Sequence, residues 1–160
     1  MEYTRNNDPE YYERNRYSSN CGSFALRLQE WYDPEEYLHE VVDDIYEWIY
    51  ELSEEGYSEY EIACMYADTL IDGILIDFDG ELELCDGRPP TTSNVELVAF
   101  NTWCCAEDGE IDRDFHFKVF RDGHWMEKNG VHEVHECDED DWGKYNGDPL
   151  YMYHKIGDIA

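Results

Sequence analysis

Lysine and arginine are absent from residues 28–87, although this stretch of sixty residues holds twenty of the forty Asp and Glu residues of the chain. The whole sequence has 160 residues and a formal net charge of −29 at pH 7. Such a charge repels nucleic acid and therefore disfavours DNA or RNA as a direct ligand. Duplex DNA carries one charge per ~1.7 Å of its axis, so the 29 charges match those of about 15 base pairs. The same field attracts proteins that bind nucleic acid through basic grooves.

The sequence also has no segment typical of export or of membrane insertion. Residues 1–5 contain no apolar signal region, and no run reaches the roughly 18 apolar residues of a membrane-spanning helix. We therefore expect a cytoplasmic protein, in the host cytoplasm if a phage encodes it, with its six cysteines reduced. Because no C-x-x-C pair, P-loop, G-x-G-x-x-G, G-x-S-x-G or H-E-x-x-H pattern occurs, we expect neither a metal nor a cofactor.

The high content of apolar and aromatic residues indicates a folded protein. Apolar residues make up 42% and aromatic residues 16% of the sequence, whereas disordered acidic tails lack aromatic residues. We expect a polar, irregular arm over residues 1–20 and a single domain over residues 21–160. Adaptation to high salt is an alternative explanation for the composition, because it also gives acidic surfaces with few lysines.

Helices are predicted in the first half of the chain, over residues 21–31, 33–55 and 58–70. The second helix begins at Asp33-Pro34 and then shows one apolar stripe at helical spacing. The third begins at a capping box whose first residue is Ser58. Residues 74–78 either extend this helix or form a hairpin with residues 82–84.

Strands are predicted in the second half, over residues 95–103, 115–120, 124–126, 131–137 and 150–156. Asp108-Gly109 and Asp122-Gly123 are predicted turns between them. Because helices come first and strands later, we expect an α+β fold in which N-terminal acidic helices pack on a mainly antiparallel sheet.

The acids of the predicted helices form the candidate partner-binding surface. An ordinary solvated helix face, which is the alternative interpretation, mixes signs and gains from Glu–Lys pairs at i,i+4, and residues 28–87 have none. Like charges at these spacings destabilise a helix, so a uniformly negative face indicates a function. The candidate residues are Glu36, Glu40, Asp43, Asp44, Glu47, Glu51, Glu54, Glu55, Glu59 and Glu61.

Cys21 and His116 are the candidate catalytic residues. Cys21 is predicted at the N-terminus of a helix, where unpaired N–H groups favour a thiolate. His116 lies ninety-five residues later on a predicted strand, which is the usual arrangement of a thiol nucleophile and its base. Alternation along this strand puts Phe115 and Phe117 on one face and His116 on the other. The alternative is a packed cysteine and a packed histidine without a catalytic role.

Two short segments of the chain resemble papain-like and NlpC/P60-like cysteine hydrolases, in particular small phage and bacterial members. The first segment is N-C-G-S-F-A-L at residues 20–26. The second is D-F-H-F at residues 114–117, followed by R-D-G-H-W-M-E-K-N-G at residues 121–130. The resemblance covers these segments alone.

The resemblance implies a peptidase or amidase with Cys21 as the nucleophile and His116 as the base. It also implies a papain-like arrangement, in which a helical half packs against a sheet half. The third residue, which orients the base, stays open among Asn129, His124 and His132.

Two functions are therefore predicted. The first is an acidic, phage-type interaction protein that imitates nucleic acid and inhibits a DNA- or RNA-binding host defence protein, of the anti-CRISPR or anti-restriction type, by occupying its basic groove. The alternative is a papain-like cysteine peptidase or amidase that uses Cys21 and His116. Both hold if a hydrolase fold has been reused as a charged decoy.

Overall fold

The structure is a computed structural model and describes residues 3–107 and 109–157. Within these residues it contains five α-helices and one antiparallel sheet of six strands, which confirms the predicted α+β class. The helices are α1 (Tyr11–Arg14), α2 (Cys21–Ala25), α3 (Leu38–Val41), α4 (Ile45–Glu54) and α5 (Glu59–Asp77). The strands are β1 (Leu82–Cys85), β2 (Val95–Glu107), β3 (Glu110–Arg121), β4 (His124–Lys128), β5 (Val134–Glu136) and β6 (Leu150–Lys155), in the order β1-β6-β2-β3-β4-β5.

The β2–β3 hairpin forms the centre of the sheet and sets which side chains face the helices. Phe100 of β2 lies opposite Phe117 of β3, and both are fully buried in the hydrophobic core. Helix α5 packs on β2 from this side, and α2 packs on β3. Because side chains alternate along a strand, His116 points to the opposite face of the sheet. The predicted turn at Asp108 lies outside the described residues.

The connection between β5 and β6 covers this opposite face. Lys118 is fully buried, and its Nζ donates to the backbone oxygens of Asp138 and Asp141 at 2.6 Å each. Asn101 of β2 donates from Nδ2 to the backbone oxygen of Tyr145 at 3.3 Å. These hydrogen bonds hold residues 138–149 against the sheet and form one wall of the site described below.

The prediction of one continuous helix over residues 33–55 is wrong. The chain turns at residues 34–37, forms α3 and becomes extended at Val42 before α4 begins. Asp44 caps α4, because its side chain accepts a hydrogen bond from the backbone N–H of Glu47 at 3.2 Å. Leu38 before the break and Ile45 and Ile49 after it are still buried in the core, whereas Val41 is exposed.

Of the two alternatives predicted for residues 74–78, the structure has the extension of α5, which ends at Asp77 with Phe78 as its C-cap. Strand β1 pairs instead with β6, which follows much later in the sequence. Helix α2 ends at Ala25 rather than near residue 31, because Arg27 adopts a positive φ of 57°. Leu28 then forms a β-bridge with Arg5.

The segment predicted as an irregular arm, as far as residues 3–20 are described, contains α1 and packs on the domain. Tyr12 is only 3% exposed, and its hydroxyl donates to the backbone oxygens of Ser23 and Leu28 at 3.1 and 2.9 Å. Sequence polarity missed this packing because tyrosine buries its ring while its hydroxyl bonds the backbone. Among the described residues, no helix is both long and apolar enough to cross a membrane.

Candidate active site

Helix α2 begins at Cys21, and buried hydrogen bonds fix its start. The side chain of Asn20 accepts from the backbone N–H of Ser23 at 2.9 Å, and the Ser23 hydroxyl accepts from the backbone N–H of Asn20 at 3.1 Å. Asn20 Nδ2 also donates to the backbone oxygen of Tyr32 at 2.7 Å. This capping box and its link to Tyr32 position the Cys21 side chain.

Gly22 allows α2 to approach the sheet closely. A Cβ atom at this position would lie 2.9 Å from Cδ2 of Tyr32 and 3.2 Å from Cε2 of Phe117. Any side chain would therefore push the helix away from β3. Because Phe117 is the neighbour of His116, this close packing sets the separation of Cys21 and His116.

His116 is 5% exposed and interacts with both Cys21 and Glu127. Its Nε2 lies 2.8 Å from Oε1 of Glu127, which leaves Nδ1 as the ring nitrogen available to Cys21. Burial lowers the pKa of His116, but hydrogen bonds and charge interactions with Cys21 and Glu127 outweigh burial and raise this pKa to about 9. A cysteine beside an imidazole is the arrangement of groups on which thiol-dependent catalysis relies.

Glu127 of β4 is the residue that orients His116. A second histidine, His135, holds the carboxylate of Glu127 in place. Its other oxygen, Oε2, lies 2.7 Å from Nε2 of His135. Burial raises the pKa of Glu127, but the hydrogen bonds with His116 and His135 outweigh burial and lower this pKa. The carboxylate is therefore charged at neutral pH and fixed at both oxygens.

The three predicted candidates for the orienting residue do not take this role. Asn129 and His132 line the same cleft as His116, while His124 is exposed and pairs with Glu136 at 3.1 Å. None of the three forms a hydrogen bond with His116 among the described residues. The orienting group is instead Glu127, which was not among the predicted candidates.

A signal for Glu127 is nevertheless present in the sequence. A two-residue Asp122-Gly123 turn fixes the register of the hairpin that it closes. This register puts Glu127 opposite Lys118, as the structure shows. Glu127 is therefore the diagonal neighbour of His116 on the same face of the sheet.

Cys21 and His116 line one open cleft with a volume of about 550 Å³. Asn20, Trp31, Asp114, Phe115, Asn129, Gly130, His132, Lys144 and Tyr145 complete its lining. Tyr145 stacks on the ring of His116, with the ring centroids 5.3 Å apart and the planes at 17°. The cleft therefore gives a ligand access to the thiol and the imidazole together.

A buried lysine ties the two walls of the cleft together. Lys128 is fully buried, and its Nζ donates to the backbone oxygens of Arg16, Ser19 and Gly130 at 2.5–2.6 Å. Arg16 and Ser19 precede Cys21, while Gly130 follows β4. The ammonium group thus joins the segment that leads into Cys21 to the segment that follows β4, and nothing in the sequence pattern indicates this role.

The ten predicted partner-binding acids lie apart from the cleft. Nine of them are exposed, and Glu59 is half-buried and accepts a hydrogen bond from the backbone N–H of Ala106 at 2.7 Å. Within the described part of the chain, none of the ten forms an ion pair. Glu35, which was not among them, does form one with Arg113 at 2.9 Å. The acids therefore present uncompensated charge to solvent along the segment that contains α3, α4 and the start of α5.

The comparisons with known proteins give no assignment. No protein-family model, no curated protein and no solved structure matches the chain.

Proposed function

We propose that the protein is a cysteine hydrolase of the peptidase or amidase type. The observation that supports this most directly is that Cys21 of α2 and His116 of β3 line one cleft, while Glu127 of β4 bonds His116 from behind. A nucleophile, a base within its reach and a carboxylate that orients the base are the parts that thiol-dependent acyl transfer needs. The resemblance of residues 20–26 and 114–117 to cysteine hydrolases agrees with this arrangement, in which a helix with the nucleophile packs against a papain-like sheet half.

The reaction follows from the positions of these groups. Cys21 Sγ attacks the carbonyl carbon of an amide, and its proton resides on His116. His116 then protonates the leaving amine, which departs and leaves a thioester on Cys21. A water molecule, deprotonated by His116, attacks the thioester and releases the acid. Glu127 keeps the imidazole oriented and stabilises its positive charge throughout.

The test is the alkylation of the cysteines by iodoacetamide, followed for each thiol by mass spectrometry. We expect Cys21 to react fastest at pH 7, and His116→Ala to slow its reaction at least about tenfold. Cys64→Ala serves as the control, because Cys64 is half-buried and does not line the cleft. A Cys21 that reacts slowly in the wild type, or at the same rate in His116→Ala, would contradict the proposal.

We further propose a second function for the acidic surface, which is inhibition of a nucleic-acid-binding protein by charge mimicry. Its support is the exposure of nine of the ten candidate acids together with their lack of ion pairs among the described residues. Acids without an ion pair keep their full negative charge, which attracts a basic partner and raises its association rate. By analogy with the phage-type resemblance, the partner is a host defence nuclease in the cytoplasm with a basic groove.

Charge reversal tests the second function. The variant with Glu40, Glu47, Glu51 and Glu54 changed to Lys is expected to lose inhibition of duplex cleavage by restriction and RNA-guided nucleases. The matched control reverses Glu13, Asp79, Glu83 and Asp140, which are exposed acids outside the candidate set. Equal inhibition by the two variants would show that the candidate face has no special role, and no inhibition by the wild type would reject the mimicry.

A further inference from the structure

A cation site lies on the rim of the cleft, and the chain fills it with its own Lys144. The Nζ of Lys144 lies 3.1 Å from Oδ2 of Asp114 and 4.6 Å from the centre of the Trp103 ring. It also lies 5.5 Å from the centre of the Tyr145 ring. The hydroxyl of Tyr145 donates to the same Asp114 oxygen at 3.2 Å, which fixes the carboxylate. Two aromatic rings and a carboxylate around one ammonium form an aromatic cage.

This aromatic cage of Trp103, Asp114 and Tyr145 adjoins the proposed catalytic residues. Tyr145 stacks on His116, so one ring serves both the cage and the base. Asp114 and Tyr145 line the same cleft as Cys21. A ligand whose amide carbonyl reaches Cys21 therefore has the cage close to its remaining atoms.

We infer that the aromatic cage is a substrate subsite for a primary ammonium group, such as a lysine side chain or a terminal amine. This inference rests on the proposed hydrolase function and names its substrate class. Lys144 occupies the subsite when no substrate is bound, and substrate binding displaces it.

The position of Lys144 supports its displacement. Its side chain is 52% exposed, and it belongs to the loop between β5 and β6 rather than to a strand. An exposed ion pair of this kind is weak, so a better-placed ammonium can replace it. Asp114 itself is anchored on β3 and keeps its partner Tyr145 when Lys144 leaves. The charge of −29 also concentrates cations around the protein.

The experiment compares two alkylating probes that differ only in a terminal charge. One is an iodoacetamide of an aminoalkylamine, and the other is the alkyl iodoacetamide of equal length, each tested over a short series of chain lengths. We measure the ratio of their second-order rate constants at Cys21 in about 1 M salt, where the Debye length is about 3 Å and the general attraction is screened. Asp114→Asn and Lys144→Met are the test variants. Asp112→Asn is the control, because Asp112 is an exposed acid on the same strand.

We expect the cationic probe to react about tenfold faster than the neutral one at the best chain length. Asp114→Asn should bring the ratio close to one, Lys144→Met should raise it, and Asp112→Asn should leave it unchanged. A ratio that Asp114→Asn does not lower, or that Lys144→Met lowers, overturns the subsite. If both probes react quickly and equally, the hydrolase proposal stands and the subsite falls.

A second measurement does not depend on a reactive thiol. Pentylammonium chloride is titrated into the Lys144→Met variant, and the indole N–H resonance of Trp103 is followed by NMR. A saturable shift of this resonance supports the cage, provided that the shift is absent when Asp114→Asn is added to the same variant. This result holds even if Cys21 proves inert. No saturable shift overturns it.

Discussion

Against the effect of burial, the charge of Glu127 raises the pKa of His116 together with the interaction with Cys21, and Glu127→Gln isolates the part that Glu127 contributes. Gln keeps an oxygen that can accept from Nε2 of His116, so the substitution changes the charge more than the shape. Glu127 Oε1 lies 2.8 Å from that nitrogen in the native protein. In the native protein, Oε2 of Glu127 bonds His135. The second polar atom of the Gln side chain can also reach His135.

The size of the effect follows from the interaction of two charges. At an effective dielectric constant of about 20, unit charges about 4 Å apart interact by ~4 kcal/mol. One pKa unit corresponds to about 1.4 kcal/mol, so the lost attraction lowers the pKa of His116 by up to about 3 units. Solvent at the open cleft reduces this effect, and we expect a fall of about 1 to 3 units. The pKa of His116, which is about 9 in the native protein, should therefore lie between about 6 and 8 in the variant.

The assay is an NMR titration of the histidine Hε1 resonances, with His116 assigned from the spectrum of His116→Gln. The control is Glu133→Gln, because Glu133 carries the same charge but pairs with Arg16. We expect the control to leave the His116 midpoint near its native value. A Glu127→Gln midpoint equal to the native one would refute the assignment of Glu127 as the orienting carboxylate.

Three further predictions concern stability, measured by urea unfolding. Lys128→Met should cost about 3 kcal/mol, because it leaves buried backbone oxygens without a donor, whereas the exposed Lys155→Met should cost little. Gly22→Ala should cost about 1–3 kcal/mol, since its Cβ would lie 2.9 Å from a Tyr32 ring atom. Burial raises the pKa of Glu96, but two arginines outweigh burial and lower this pKa from 4.5 to about 2. The resulting stability, about 3 kcal/mol, should be complete above pH 4.5, decline as the pH falls toward 2, and be absent in Glu96→Gln.

Local signals predicted much of the sheet. Alternation in residues 115–120 and the Asp122-Gly123 turn are short-range features. The structure has this turn where it was predicted, while β3 begins earlier, at Glu110, and β4 continues to Lys128. The capping box at Ser58 likewise marks the start of α5. The proximity of Cys21 and His116 is a long-range feature, because the two residues lie ninety-five positions apart in the sequence. Here the sequence motifs suggested the pair, but only the packing of α2 on β3 brings the two together.

The failures share a physical cause, which is competition between local and tertiary interactions. The apolar spacing over residues 38–52 fits a continuous helix, and the Asp44 cap that interrupts it is a single side-chain hydrogen bond. Lys118 and Lys128 are fully buried, although lysine is mostly a surface residue, and backbone oxygens bind the ammonium group of each. A sequence pattern does not show where unpaired backbone oxygens will lie, so it cannot predict a lysine that satisfies them.

The distribution of cations explains how a thiol site can exist in so acidic a chain. All eleven lysines and arginines lie outside residues 28–87, and Lys118, Lys128 and Lys144 are all close to the cleft. Exposed charges farther apart than about 8 Å are largely screened at physiological salt, so the distant acids act on the site less than the lysines and the carboxylates of Asp114 and Glu127 that lie next to it. The acids act instead on molecules that approach through solvent. The two proposed functions therefore use different residues, and we expect Cys21→Ala to leave the charge mimicry intact, while reversal of the helix acids leaves the alkylation of Cys21 unchanged.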